Sequence, residues 1–198
     1  VMGAFEDGGR VYVDVEMSES NPFPFMPMQG GKQWDPVRGT SYMTRLSADM
    51  NNRSISGYDI ERLYEYRGAL PRQDDRYNTA SYRYGFLGTR DKDAPNPRQA
   101  NAGYIRMDHA TRTTVFWDAG QGTSLAECCF APKHDNAREG EGYLLGLATR
   151  QNEGGRGDLV ILDAEHLEDG PVAVVHLPIR AVGQVHGWWV PESQLPVA

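Results

Sequence analysis

Five histidines and two cysteines are the residues of this chain best suited to metal or nucleophilic chemistry. His186 stands out among them. It lies in Gly183-Gln184-Val185-His186-Gly187-Trp188-Trp189-Val190-Pro191, a strand-like stretch in which Gly187 would let a ligand or another backbone approach closely. A neutral imidazole there would suit a metal ion, and a core histidine bonded to backbone is the competing reading. His109 and His166 fall in turn sequences, His134 in a polar loop and His176 in a strand, and none pairs with another at a ligand spacing. Glu127 is the second candidate. Its neighbours Leu125, Ala126, Cys128, Cys129 and Phe130 are apolar, so a carboxylate buried here would be costly unless paired or hydrogen-bonded. A histidine N–H is a natural donor to such a group, as in carboxylates that orient metal-bound imidazoles. A strand with Glu127 turned to solvent is the alternative. Phe23 is the third candidate, in Ser20-Asn21-Pro22-Phe23-Pro24-Phe25-Met26-Pro27-Met28, where prolines stiffen a loop that either lines an apolar pocket or packs beneath itself.

Other matches carry less. Ser124 has no base and acid partners in a recognisable triad, Gly120-Gln121-Gly122 lacks the strand-to-helix setting of a dinucleotide site, and Arg156-Gly157-Asp158 reads as a hairpin turn. Asn52-Arg53-Ser54 is a glycosylation sequon without a secretion signal beside it. Cys128 and Cys129 are adjacent, and a disulfide between them would close a strained ring. Both thiols are therefore expected free, which fits a reducing compartment and a cytoplasmic location.

The elements that must position these groups are short strands. Alternating segments at 10–16, 41–47, 62–67, 102–108, 113–118, 143–149, 159–163 and 172–177 are separated by turn-forming groups such as Asp49-Met50-Asn51-Asn52 and Glu139-Gly140-Glu141-Gly142. No segment sustains an apolar period of 3.6, although 21–28 and 163–167 are long enough for a helical turn. An all-β single domain over 1–198 follows, and the recurrence of strand, turn, strand and crossing loop favours a propeller over a sandwich. With 20 basic and 27 acidic residues, a net charge of −7 and no basic cluster, nucleic acid is not an expected partner. No run approaches the ~18 apolar residues of a membrane span. Residues 4–15 already read as strand, turn, strand, so the chain is expected to begin within a fold.

Taken in order, several motifs resemble those of the carotenoid cleavage oxygenases. They are Ala4-Phe5-Glu6-Asp7-Gly8, Leu70-Pro71-Arg72 with Tyr82-Arg83-Tyr84-Gly85-Phe86, Glu127-Cys128-Cys129-Phe130-Ala131-Pro132, Gly142-Tyr143-Leu144-Leu145, Gly170-Pro171-Val172-Ala173 and Val185-His186-Gly187. Trp188-Trp189 and Pro22-Phe23-Pro24-Phe25-Met26-Pro27 look most like the bacterial lignostilbene branch. The resemblance implies the C-terminal portion of a seven-bladed β-propeller that holds a non-haem iron(II) with four histidines, three of them oriented by glutamates. On that basis His186 falls on the fourth ligand and Glu127 on one of the orienting glutamates. The third ligand would stand immediately before the segment matching 1–6, and the first two further upstream. Ala69 occupies a position where the family usually has a glutamate, so one imidazole lacks its usual partner; Glu65 or a water is a possible substitute. The implied reaction is O2-dependent cleavage of a stilbene's central double bond to two aromatic aldehydes, with Phe23 as one wall of the aryl pocket. Apocarotenoid cleavage and a non-catalytic binding propeller that has lost iron chemistry are the alternatives. A homodimer is left open, and three blades alone would expose sheet edges that invite aggregation.

Overall fold

The computed structural model describes residues 1–23, 26, 28–35, 37–52, 57–90, 102–180 and 185–196. Strands dominate them: β1 (Gly3–Asp7), β2 (Arg10–Met17), β3 (Tyr42–Asp49), β4 (Tyr58–Gln73), β5 (Tyr84–Arg90), β6 (Ala102–Asp108), β7 (Thr113–Asp118), β8 (Thr123–Pro132), β9 (Gly142–Arg150), β10 (Arg156–Asp163) and β11 (Pro171–Arg180). Helical structure among the described residues is limited to three-residue 3-10 turns, one of them at Leu167–Asp169, just after the expected 163–167 turn. The expected turn at 21–28 includes residues outside those described. No described helix is long and apolar enough to cross a membrane.

The strands run as antiparallel meanders, β1 to β7 in one sheet and β8 to β11 in another. The larger sheet is two four-stranded units joined through β4. From Tyr58 to Arg67 this strand pairs with β3, and from Gly68 to Gln73 it pairs with β5. The changeover is marked by a register shift between Ala69 and Arg72 and by Leu70 at φ +60°, a left-handed conformation that costs a non-glycine residue about 1–2 kcal/mol. Three four-stranded units therefore follow one another along the chain.

Side-chain alternation explains how the units stack. In the middle unit Phe86 and Tyr104 face one core, shared with Cys128, Phe130, Leu144, Val160 and Leu162 of the last unit. Leu87, Ile105 and Met107 face a second core, shared with Met2, Met43 and Leu63 of the first. Both faces of the middle unit are buried. This is why β5, Tyr-Gly-Phe-Leu-Gly-Thr-Arg, lacks a polar face and falls outside the segments that alternation picks out. A correction applies to Arg156-Gly157-Asp158, which lies inside β10; the turn is made earlier, where Gly154 and Gly155 have φ of +71° and +81°. Asp158 is instead a buried hub, bonded to Arg150 of β9, Arg156 of its own strand and His176 of β11.

A second buried carboxylate, Asp14, is held by Arg45 through two contacts of 2.7 Å and by the Tyr82 hydroxyl. Beside it the Tyr64 hydroxyl meets His109 Nδ1 at 3.1 Å, while His109 Nε2 is buried without a hydrogen-bond partner among the described residues. Burial lowers the pKa of His109 from its ordinary 6.5 to about 4, against the opposing pull of Asp14 and Asp108 and with help from Arg45 and Arg112. Between those two pH values the unfolded chain binds a proton that the folded one refuses, so this group's contribution to stability falls as pH drops from 6.5 to 4. His109→Gln should narrow the difference in unfolding free energy between pH 7 and pH 4.5 by up to ~3 kcal/mol, read by urea unfolding at both.

Candidate metal-ligand site

Glu127 sits in β8 at a bulge. Leu125 pairs with Ala148 and Cys128 with Gly146, so Ala126 and Glu127 together oppose one residue of β9. The bulge is pinned from inside the core by the Tyr104 hydroxyl, which donates to the Ala126 carbonyl at 2.8 Å. Tyr104 fits because residue 146 is glycine: a Cβ there would lie 2.0 Å from the tyrosine oxygen. The expectation of a solvent-facing Glu127 is thereby excluded, since its side chain is only 4% exposed.

Three groups converge on this carboxylate. The Gly187 amide donates to Oε2 at 2.9 Å, His186 Nδ1 lies 3.3 Å from Oε1, and Arg72 Nη1 lies 3.7 Å from Oε2. They come from two parts of the chain: Arg72 from the end of β4, in the middle unit, and His186 and Gly187 from the segment after β11. This resolves the cost of burying a charge. At Gly187 an added Cβ would meet nothing within 4 Å among the described residues, and its backbone N–H is the group the carboxylate uses. The segment carrying His186 belongs to no strand.

With Nδ1 turned to a carboxylate, an imidazole keeps its proton on that side and presents the Nε2 lone pair on the other. The His186 side chain is 74% exposed, so its far edge is open to an incoming group. This donor arrangement fits a divalent metal. Among the described residues no group of three or more His, Cys, Asp or Glu side chains could hold a metal ion. Beside His186 and Glu127, Cys129, Leu145, Leu147, Leu159, Trp188 and Trp189 line a cleft of about 200 Å³. That is below the ~300–1,000 Å³ usual for enclosing a drug-sized ligand.

Cys128 and Cys129 are free, as expected. Burial pushes the Cys128 thiol up to about 12 and raises that of Cys129, so neither is a ready nucleophile. Phe23 is not brought to His186. It lies on the connection from β2 to β3, 47% exposed, in a turn closed by Asn21, which accepts from the Phe23 amide and donates to the Phe23 carbonyl. Phe25 lies outside the described residues. Residue-type reasoning missed Arg72, Tyr104 and Gly146. Only Arg72 left a trace, in the Leu70-Pro71-Arg72 motif.

Tyr104→Phe, which leaves the Ala126 carbonyl without its donor, should cost about 1–3 kcal/mol of stability by urea unfolding. Glu127→Leu should expose the Gly187 amide, raising its hydrogen-exchange rate at least ~10-fold in NMR while amides in the middle of β9 keep their protection.

Residues 1–191 match the family model described as retinal pigment epithelial membrane protein, RPE65. The chain is 34% identical to lignostilbene-α,β-dioxygenase isozyme III of Sphingomonas paucimobilis, over all of this chain and 42% of that protein. It is 33% identical to isoeugenol monooxygenase of Pseudomonas nitroreducens, over 96% of this chain and 41% of the relative. The crystal structure of Pseudomonas brassicacearum lignostilbene dioxygenase superposes with a TM-score of 0.86 at 30% identity, covering 96% of this chain and 41% of the other. Cobalt-substituted Synechocystis ACO shares the fold, with a TM-score of 0.79 at 21% identity. The chain thus spans about two fifths of the length of the curated relatives it matches. On the strength of the family match across nearly its whole length, the chain belongs to the RPE65, or carotenoid cleavage oxygenase, family.

Proposed function

We propose that this chain forms the C-terminal blades of a seven-bladed propeller and contributes His186 as one of four histidine ligands to a non-haem iron(II) centre that cleaves aryl-alkenes with O2. The observation that carries this reading is the pairing of buried Glu127 with His186, which leaves one imidazole edge open in a chain similar throughout to oxygenases. Iron(II) bound there would supply a binding position for O2 and the electrons that activate it.

The chain's own residues have narrower tasks. Glu127 fixes the tautomer and ring plane of His186, Arg72 balances the carboxylate's charge, and the Gly187 amide holds the ligand-bearing segment against β8. Trp188 and Trp189 line the adjacent cleft. Phe23 is our candidate for an aromatic wall on the substrate side. The 200 Å³ cleft cannot enclose a stilbene by itself, so substrate recognition relies on surfaces beyond it. The overall chemistry is one C=C bond plus O2 giving two carbonyl groups. Relatives named for lignostilbene and isoeugenol support an aromatic alkene as the substrate class, and a 4-hydroxystilbene is the specific choice. Apocarotenoid cleavage would need a longer apolar tunnel.

A second reading is favoured by one observation. Ala69 cannot accept a hydrogen bond from an imidazole, and loss of such a partner typically lowers metal affinity by ~10–100-fold. A propeller that binds aromatics without iron chemistry would tolerate that loss.

The test is to produce the chain with its upstream portion, load it anaerobically with iron(II), and measure bound iron with O2-dependent loss of a 4-hydroxystilbene. We expect iron near one per chain and two aldehyde products, with His186→Ala reducing iron affinity at least ~10-fold. A folded protein with neither iron nor products would favour the binding propeller.

A further inference from the structure

Arg150, Arg156 and Arg180 stand in one row across the last unit. In the register of that sheet, Arg156 of β10 lies opposite both Arg150 of β9 and Arg180 of β11. Like charges directly opposite one another destabilise a sheet, so such a row calls for counter-charge. Two carboxylates supply part of it: Asp158, fully buried, bonds Arg150 and Arg156, and Glu153 bonds Arg156 again. The third guanidinium is left over. Arg180 makes no hydrogen bond or ion pair with another described residue, in a chain whose net charge is −7.

Two features of the backbone fix where that free charge sits. Asp158 lies opposite His176 and Arg156 opposite Arg180, so residues 176–180 of β11 span the same length of sheet as residues 156–158 of β10. This bulge draws Arg180 back towards His176, placing the two about 7 Å apart along the sheet where a regular strand would separate them by ~13 Å. At the β9–β10 turn, Gly155 leaves space that Arg180 occupies: a Cβ there would lie 2.7 Å from Arg180 Nε. The guanidinium therefore rests over the turn beside Arg156.

His176 completes the arrangement. Its Nδ1 lies 2.8 Å from Asp158 Oδ1, so the ring keeps a proton on that side and turns Nε2 outward, with the side chain 63% exposed. A free guanidinium fork next to an imidazole acceptor matches a ligand that carries both charged oxygens and a hydroxyl. A carboxylate has the first and lacks the second; hydrogenphosphate has both.

We propose that Arg180 and His176, backed by Arg150 and Arg156, form a binding site for inorganic phosphate, with Arg180 donating to two of its oxygens and the phosphate hydroxyl donating to His176 Nε2. Bound phosphate supplies the counter-charge that the arginine row lacks and ties the end of β11 to the β9–β10 turn. None of the residues assigned to iron takes part, so the two readings stand or fall separately.

The experiment titrates inorganic phosphate calorimetrically into the chain carrying its upstream portion, at constant ionic strength set with sodium chloride. Phosphate should bind near one per chain with a Kd on the order of 1 mM, and acetate at least ~10-fold more weakly. Arg180→Gln should weaken phosphate binding ~10-fold or more, and Arg180→Lys, which keeps the charge and loses the planar fork, should fall between it and the parent. Arg138→Gln, at an exposed arginine paired with Glu141, should bind as the parent does. Phosphate should also raise the unfolding temperature of the parent and not that of Arg180→Gln. Absence of saturable binding, acetate binding as tight as phosphate, or a Kd unchanged by Arg180→Gln overturns the proposal.

Discussion

The Glu127 carboxylate is the point on which the candidate site depends. It is almost wholly removed from water, and a charge so placed must find donors within the protein. Those donors come from parts of the chain far apart in sequence: Arg72 at the end of β4, and Gly187 and His186 beyond β11. Satisfying one buried charge therefore ties the middle unit, the last unit and the C-terminal segment together. The segment at 185–191 belongs to no strand, and its attachment through Gly187 and His186 gives the imidazole a defined direction.

The rest of the fold sets that carboxylate in place. A bulge in β8 turns Glu127 away from the regular ladder, Tyr104 reaches across from β6 to hold the bulge, and glycine at 146 makes room for the ring. The middle unit can send Tyr104 to one side and Ile105 to the other because both its faces are packed against neighbours. Stacking of four-stranded units is thus what brings a core tyrosine to the back of a candidate metal-ligand site. Asp14 and Asp158 do related work elsewhere: Asp14 of β2 is held by Arg45 of β3 and by Tyr82, and Asp158 of β10 by Arg150 of β9, Arg156 and His176 of β11.

Much of this was legible in the sequence because strand alternation survives wherever one face is wet. The segments at 102–108 and 113–118 coincide with β6 and β7, and the turn at Gly8-Gly9 joins β1 to β2. Legibility failed where both faces are buried, as in β5, and where a bulge breaks the period, as in β8. His186 and Glu127 were identifiable as a polar group beside glycine and as an acid in an apolar run. Their pairing across 59 positions was not, because no local pattern encodes which distant donor meets a buried acid. Arg72 and Tyr104 act through position alone, and a tyrosine in a strand looks alike whether it meets solvent or a carbonyl in the core.

The most direct measurement is the tautomer of His186, read from the nitrogen-15 shifts of its ring at a pH where the imidazole is neutral. A proton on Nδ1 with an unprotonated Nε2, lost when Glu127 is replaced by leucine, is the result this account predicts. A proton on Nε2, or a tautomer indifferent to Glu127, would contradict it.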